Sequence, residues 1–220
     1  KETQHLPETL PLERRDGFDL VEQTLEEEAA RAEARRCLQC STLCDRCVEV
    51  CPNRANLTYM VEPQHLWLPR LSCRLGHLTA VGKEEFRVRQ ARQVLHLADL
   101  CNECGNCATF CVHQGKPYLD KPRLYLQESD FVRESDNAFF VRGNTVRRRE
   151  GGRESLLSLH GDGFSYETAQ VEILFSPGSD VLEMTLRQPF EGVLSLVEAA
   201  EMAVLLQGVT RSLPFLFGQG

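Results

Sequence analysis

The stretch Cys101-Asn102-Glu103-Cys104-Gly105-Asn106-Cys107-Ala108-Thr109-Phe110-Cys111 decides the reading of this chain. Its spacing, C-x2-C-x2-C-x3-C, puts three thiols on one tight loop where they can grip one [4Fe-4S] cubane, while the fourth points toward a second. An upstream window carries Cys37, Cys40, Cys44, Cys47 and Cys51-Pro52, and a shift of 60 residues lays Cys44, Cys47 and Cys51 on Cys104, Cys107 and Cys111. The two windows are therefore an internal repeat. The same shift sets Ser41 opposite Cys101, so the first ligand of the upstream window has to come from Cys40 or Cys37. If each loop lends its last cysteine to the other, Cys101, Cys104, Cys107 and Cys51 hold one cluster. Cys111 then joins three of Cys37, Cys40, Cys44 and Cys47 at the second, and one thiol is left over. Gly105 allows the close backbone approach that amide-to-sulfur hydrogen bonds need. Pro52 suits the first turn of a short helix, a signal that Val112 lacks at the matching position.

Zinc is the competing use of C-x2-C pairs, but zinc sites usually separate two pairs by a dozen or more residues, whereas here three consecutive ligands lie within seven positions. A disulfide framework is the other competitor. Ten cysteines in 220 residues, nine of them in the two windows, suit a reducing, cytoplasmic setting in which thiols hold metal. Cys73 stands outside both windows and reads as a buried structural thiol.

The rest of the composition excludes several classes. Hydrophobic residues at 42% and charged residues at 26% are those of an ordinary folded domain, and no apolar run reaches the ~18 residues of a membrane span. A net charge of -7 argues against a phosphate-backbone surface spread over the molecule. The first residues are polar, broken by Pro7 and Pro11, with no apolar signal-peptide core and no initiator Met, as expected of a trimmed or mid-protein start. No G-x-G-x-x-G follows a plausible strand, and no Walker loop, H-E-x-x-H or nucleophile constellation is present. Hydride chemistry is therefore expected elsewhere.

Outward from the windows, Thr24-Leu25-Glu26-Glu27 has capping-box spacing and predicts a helix over Leu25 to Arg36. Asn56 to Glu62 reads as a strand, with Phe86 to Arg89 and Val94 to Leu97 as a possible return, and Pro63 to Gly82, including Trp67, as an inserted loop. Of the six histidines only His113, two residues after Cys111, is placed to tune a cluster by hydrogen bonding, and it reads more readily as a loop cap. The basic run Arg142, Arg147, Arg148, Arg149 and Arg153 reads as a solvated linker or a surface for an acidic partner. Leu156–Leu159, Val171–Phe175 and Val181–Leu186 read as strands, Pro189 to Gln207 as a mostly buried helix ended by Gly208, and Leu213 to Phe217 as a tail packed on its own sheet or on a partner.

Glu33-Ala34-Arg35-Arg36-Cys37-Leu38-Gln39-Cys40 resembles the iron-sulfur region of glutamate synthase small-subunit-like and dihydropyrimidine dehydrogenase-like flavoproteins. A longer match runs from Cys44-Asp45 through Cys51-Pro52-Asn53-Arg54-Ala55-Asn56, then from Leu95-His96 through Cys107, and over Gly115-Lys116-Pro117-Tyr118-Leu119-Asp120-Lys121. It resembles the C-terminal iron-sulfur portion of the selenate reductase-like subunit family, over about Glu28 to Phe131. The resemblance implies an electron-transfer module of a larger NAD(P)H-dependent oxidoreductase. FAD and NAD(P)H would lie in a partner or preceding portion, and a terminal reductase or dehydrogenase subunit would follow. By likeness to the dihydropyrimidine dehydrogenase type, Cys37, Cys40 and Cys47 are ligands; the repeat favours Cys40, Cys44 and Cys47.

The expected fold is α+β: a leading segment and helix over residues 1–36, a ferredoxin-like domain with two [4Fe-4S] clusters over 37–135, and a small C-terminal antiparallel sheet with a helix over 136–220. Metal ligands are expected among Cys37, Cys40, Cys44, Cys47, Cys51, Cys101, Cys104, Cys107 and Cys111. A redox-silent zinc module and a self-contained reductase are the rival readings.

Overall fold

The computed structural model describes residues 3–36, 44–161, 163–176, 178 and 180–217. The chain divides into two compact units, residues 1–44 and 45–220. In the first, Thr9 and Glu22 form an isolated antiparallel bridge, and helix α1 spans Glu27–Arg35. α1 starts after Glu26, with no side-chain cap, so the capping box expected from Thr24 does not form. Glu27 and Glu28 at its start and Arg35 at its end complement the helix dipole instead.

The second unit is built on one sheet that contains nine strands among the described residues. β1 (Asn56–Met60) pairs antiparallel with β4 (Arg92–Leu97), which pairs in parallel with β5 (Arg123–Tyr125), itself parallel to β6 (Ala138–Arg142). From β6 the sheet continues as an antiparallel meander through β7 (Thr145–Glu150), β8 (Arg153–His160), β9 (Gly163–Glu167), β10 (Val171–Phe175) and β11 (Val181–Leu186). Because β5 and β6 pair across the expected boundary at residue 135, the C-terminal region continues the sheet that backs the cysteine loops.

The segment expected as an inserted loop is a long hairpin, β2 (Gln64–Arg74) and β3 (His77–Val88). Leu75 and Gly76 both have positive φ, 51° and 78°, which gives the two-residue turn whose twist suits a hairpin. The hairpin leaves the far end of the β1–β4 ribbon, where Met60 faces Arg92, so it lengthens the chain between the cysteine windows without separating them. β4 accordingly returns against β1 and not against β3.

Helix α6 (Val197–Ser212) lies over β1, β7 and β8. It buries Met202, Leu205, Leu206 and Val209 against Tyr59, Leu95, Val146, Leu157 and Ile173. The helix runs past Gly208, which was expected to end it. A Cβ there would sit 2.6 Å from the Tyr59 ring and 2.8 Å from Val61, so this glycine serves close packing on β1. Beyond it, Pro214–Phe217 forms a short 3-10 turn, in which Leu216 and Phe217 pack on the core and Phe215 is exposed. Among the described residues no helix is long and apolar enough to cross a membrane.

The basic run is not a linker. Arg147, Arg148 and Arg149 lie in β7, and successive residues of a strand face opposite sides. Arg148 bonds Glu201 of α6 at 2.6 Å, Arg147 meets Glu154 at 2.7 Å and Glu128, and Arg149 meets Glu154 at 3.4 Å. The three consecutive arginines at the centre of the basic run are thus matched by Glu128, Glu154 and Glu201.

Candidate metal centre

β1 begins, and β4 ends, at the same end of one ribbon: Asn56 faces His96, and the Leu97 N–H donates to the Ala55 carbonyl at 2.6 Å. The cysteine loop that precedes β1 and the one that follows β4 are thereby brought side by side. In the first loop, α2 (Arg46–Glu49) carries Cys47; in the second, α3 (Asn106–Thr109) carries Cys107. The two helices pack on one another. Arg46 also lies 5.9 Å from the centre of the Phe110 ring, a cation–π contact between the loops.

The 60-residue repeat of the sequence is a repeat of structure. α2 and α3 match end for end, and Cys47 and Cys107 are each 7% exposed. After each helix a cysteine sulfur accepts a backbone N–H four residues on: Ala55 N–H to Cys51 Sγ at 3.2 Å, and Gly115 N–H to Cys111 Sγ at 3.3 Å. Arg54 and Gln114, one residue earlier, both adopt left-handed φ, 54° and 56°. Their N–H groups donate to the Cys51 and Cys111 carbonyls. In each half this turn aims a backbone amide at the cysteine sulfur. Pro52 sits in a turn and starts no helix, so its match with Val112 at the backbone level is complete.

Cys51, Cys101, Cys104 and Cys107 line one pocket, together with Gly105, Asn56 and His96. Gly105, with φ at 78°, is the N-cap of α3 and makes the left-handed turn between Cys104 and Cys107 that a side chain would strain. Cys101 sulfur accepts the Glu103 N–H at 3.3 Å. Burial pushes the Cys101 thiol up; the Glu103 amide pulls it down, and the neighbouring Cys107 and Cys51 push it up again. A positive metal group that bound such thiols would take the place of their protons, which pass to water, and relieve the crowding of like charges.

Behind the pocket is a buried polar pair that the sequence reading did not single out. Asn56 and His96 are 1% and 2% exposed. Asn56 Nδ2 donates to the Cys47 carbonyl at 2.9 Å, which turns Oδ1 toward His96 Nδ1 at 2.8 Å. Burial first, and the Arg123 charge second, hold His96 down to about 4. The ring is therefore neutral at pH 7, with its proton on Nδ1 as donor to Asn56. The available signal was a polar residue at the first position of a strand immediately after a cysteine loop, facing a histidine in the partner strand.

Of the remaining candidates, Cys37 and Cys40 lie outside the described residues, and Cys44 is a half-buried residue at the end of the first unit. Cys111 is half-buried and Cys104 exposed. Cys73, expected to be buried, is half-exposed on β2, opposite Leu78. His113 is exposed. The cysteines described are thiols, not disulfides. Among the described residues no group of three or more His, Cys, Asp or Glu side chains is drawn close enough to hold a single metal ion.

No family model matches the chain, and no solved structure matches it. Over 131 residues, 60% of its length, it is 37% identical to YgfK of Escherichia coli O157:H7 and of Escherichia coli strain K12, which carries the provisional name of an oxidoreductase. The chain spans about a tenth of the length of these curated relatives. The similarity supports a relationship to oxidoreductases.

Proposed function

We propose that this chain is an iron-sulfur electron-transfer module of a larger oxidoreductase. Its two cysteine loops hold two [4Fe-4S] clusters in a ferredoxin-like arrangement. One observation carries the reading: a cysteine repeat of cluster spacing is repeated in helix, turn and amide-to-sulfur bond, while Cys51 of one loop lines a pocket with Cys101, Cys104 and Cys107 of the other. That crossed set of four is the donor set a cubane takes, one thiolate to each corner.

When bound, the clusters would supply one-electron transfer. The chain's own residues do the rest. The Ala55, Glu103 and Gly115 amides hold negative sulfur through hydrogen bonds, α2 and α3 bury Cys47 and Cys107 from water, and Asn56 ties the Cys47 carbonyl to the β1–β4 ribbon. The electron donor is a flavin that has accepted hydride from NAD(P)H, carried on a partner or another part of the polypeptide. The receiver is a terminal reductase or dehydrogenase subunit, as in the selenate reductase-like family that the sequence resembles. Protein prepared without oxygen is expected to be brown and to hold about eight iron atoms and eight sulfides per chain. Stoichiometric zinc without visible absorption would overturn the assignment.

A further inference from the structure

Away from the cysteine pocket, a cavity of about 630 Å³ opens between α6, the end of β3 and the sheet. This volume lies within the range of small-molecule sites. Its apolar surface includes three aromatic rings, Tyr59, Phe86 and Phe139, all from buried residues. Gln93 and Asn137 also line the wall; their NH2 groups donate to the Gln90 carbonyl at 2.7 Å and to the Leu119 and Lys121 carbonyls at 2.6 and 2.8 Å, which leaves their side-chain oxygens as acceptors.

The charges at the cavity divide into spent and unspent. Glu201 is paired with Arg148, and Asp120 accepts the Lys116 N–H at 2.6 Å. Arg87 and Arg89 make no side-chain hydrogen bond or ion pair among the described residues, although both line the cavity of a chain whose net charge is -7. Arg148 Nε, at the same wall, is buried without a hydrogen-bond partner among the described residues. Unpartnered cations beside an aromatic surface suit one kind of ligand, a flat ring with an anionic group.

We infer that this cavity binds a planar ring system carrying a phosphate, of the size of flavin mononucleotide. The ring lies against Tyr59, Phe86 and Phe139, with the side-chain carbonyl oxygens of Gln93 and Asn137 as acceptors at its edge, and the phosphate meets Arg87 and Arg89. The cavity also lies next to the second cysteine loop. Asp120, one of its wall residues, has Oδ2 at 3.1 Å from the position a Cβ on Gly115 would take, and Cys111 Sγ lies 3.6 Å from the same position. A role for the ligand in electron exchange rests on the cluster reading above; binding itself does not.

The test is calorimetric titration of the 220-residue chain with flavin mononucleotide and with riboflavin, the same ring without phosphate. Saturable one-to-one binding of flavin mononucleotide is expected, with riboflavin weaker by about tenfold or more, the usual reach of a charge-assisted hydrogen bond. Arg87→Gln with Arg89→Gln changes two exposed side chains and leaves the core untouched. The double variant is expected to bind flavin mononucleotide no better than riboflavin. No saturable binding, equal binding of the two probes, or full binding by the double variant would each overturn the site. Because the readout needs no iron, a preparation that holds stoichiometric zinc, shows no visible absorption and still discriminates the probes would sink the cluster reading and leave this one standing.

Discussion

The first cysteine loop leaves Cys51 through Pro52 and runs straight into β1, where Ala55 and Asn56 are sealed from solvent. The second leaves Cys111 through Val112 and stays near the surface, with Gly115 half-buried, Lys116 exposed, and helix α4 (Pro117–Asp120) following. Within residues 45–55 and 105–115 the two halves nonetheless share their helices, their left-handed turn and their amide-to-sulfur bond, although Asp45 stands where the other half has Gly105, and Val50 where it has Phe110. The backbone path follows the cysteines, and the surroundings follow the rest of the fold. Two sites of one chemistry would thus sit in unlike environments, and environment is what sets the potential of an iron-sulfur cluster.

The sharpest way to break this symmetry is to remove the matching cysteines. Cys51→Ser and Cys111→Ser occupy equivalent positions, so each is expected to lose at least half of the iron, from about eight atoms per chain to about four or fewer. Iron and sulfide analysis of anaerobic preparations checks both. If one variant keeps its full iron, that half of the repeat does not lend its last cysteine across, and the crossed pairing fails.

The packing of α6 on β1 tests whether the sheet and the loops are one cooperative structure. At Gly208 a methyl would be driven into the Tyr59 ring and Val61, neither of which can swing away from a packed interface. Gly208→Ala is expected to destabilise by about 1–3 kcal/mol in urea unfolding, despite alanine's better helix propensity. A neutral or stabilising result would show that β1 yields to the helix and that the ribbon behind the cysteines is softer than its burial suggests.

What the sequence disclosed follows from which signals are local. Cysteine spacing is local, and it gave the repeat; alternation with clean turns gave β10 and β11 to the residue. The β2–β3 hairpin was hidden because its turn is Leu75-Gly76 and not Asn-Gly, and because Pro63 and Pro69 read as breakers. Pro69 is tolerated because β2 pairs along its length with β3 alone, its other edge meeting only an isolated bridge from Leu71 to Leu194 among the described residues. β7 was hidden because consecutive arginines look solvated until the glutamates of β8 and α6 are placed opposite them. Gly208 carried two meanings, helix end and close contact, and only the position of β1 selects the second. The Asn56–His96 pair required the register of β1 against β4, a long-range fact.

Alkaline pH is expected to weaken the sheet and α6 in a way that can be assigned. Burial, and then Glu198 by its charge and its hydrogen bond, hold the Tyr166 phenol far above its ordinary value of 10.0; Ser155 and Arg148 act in the opposite sense. In the unfolded chain the same phenol ionises near pH 10, so above that pH the unfolded state binds fewer protons than the folded one. The associated stability is present below pH 10 and is lost as pH rises further. A single such group contributes a slope of about 1.4 kcal/mol per pH unit. Urea midpoints measured from pH 9 to pH 11 should fall less steeply for Tyr166→Phe than for the parent chain. Equal slopes would mean that Tyr166 reaches solvent in the folded state.

The smallest effect is expected where the two halves can be made alike. Gly115 occupies the place of Ala55, its φ is not left-handed, and its N–H bonds Cys111 sulfur as Ala55 bonds Cys51. A methyl there would meet Asp120 Oδ2 at 3.1 Å and Cys111 Sγ at an ordinary 3.6 Å. The carboxylate is the free end of an exposed side chain whose bond to the Lys116 amide can lengthen by a few tenths of an ångström. Gly115→Ala also removes some freedom from the unfolded chain, which favours the folded state and offsets part of that adjustment. The variant is therefore expected to keep its iron and to shift stability by no more than about 0.5 kcal/mol. Loss of iron, or a cost above about 1 kcal/mol, would mean that the Asp120 carboxylate is held rigidly beside Cys111, and that the second loop requires glycine where the first accepts alanine.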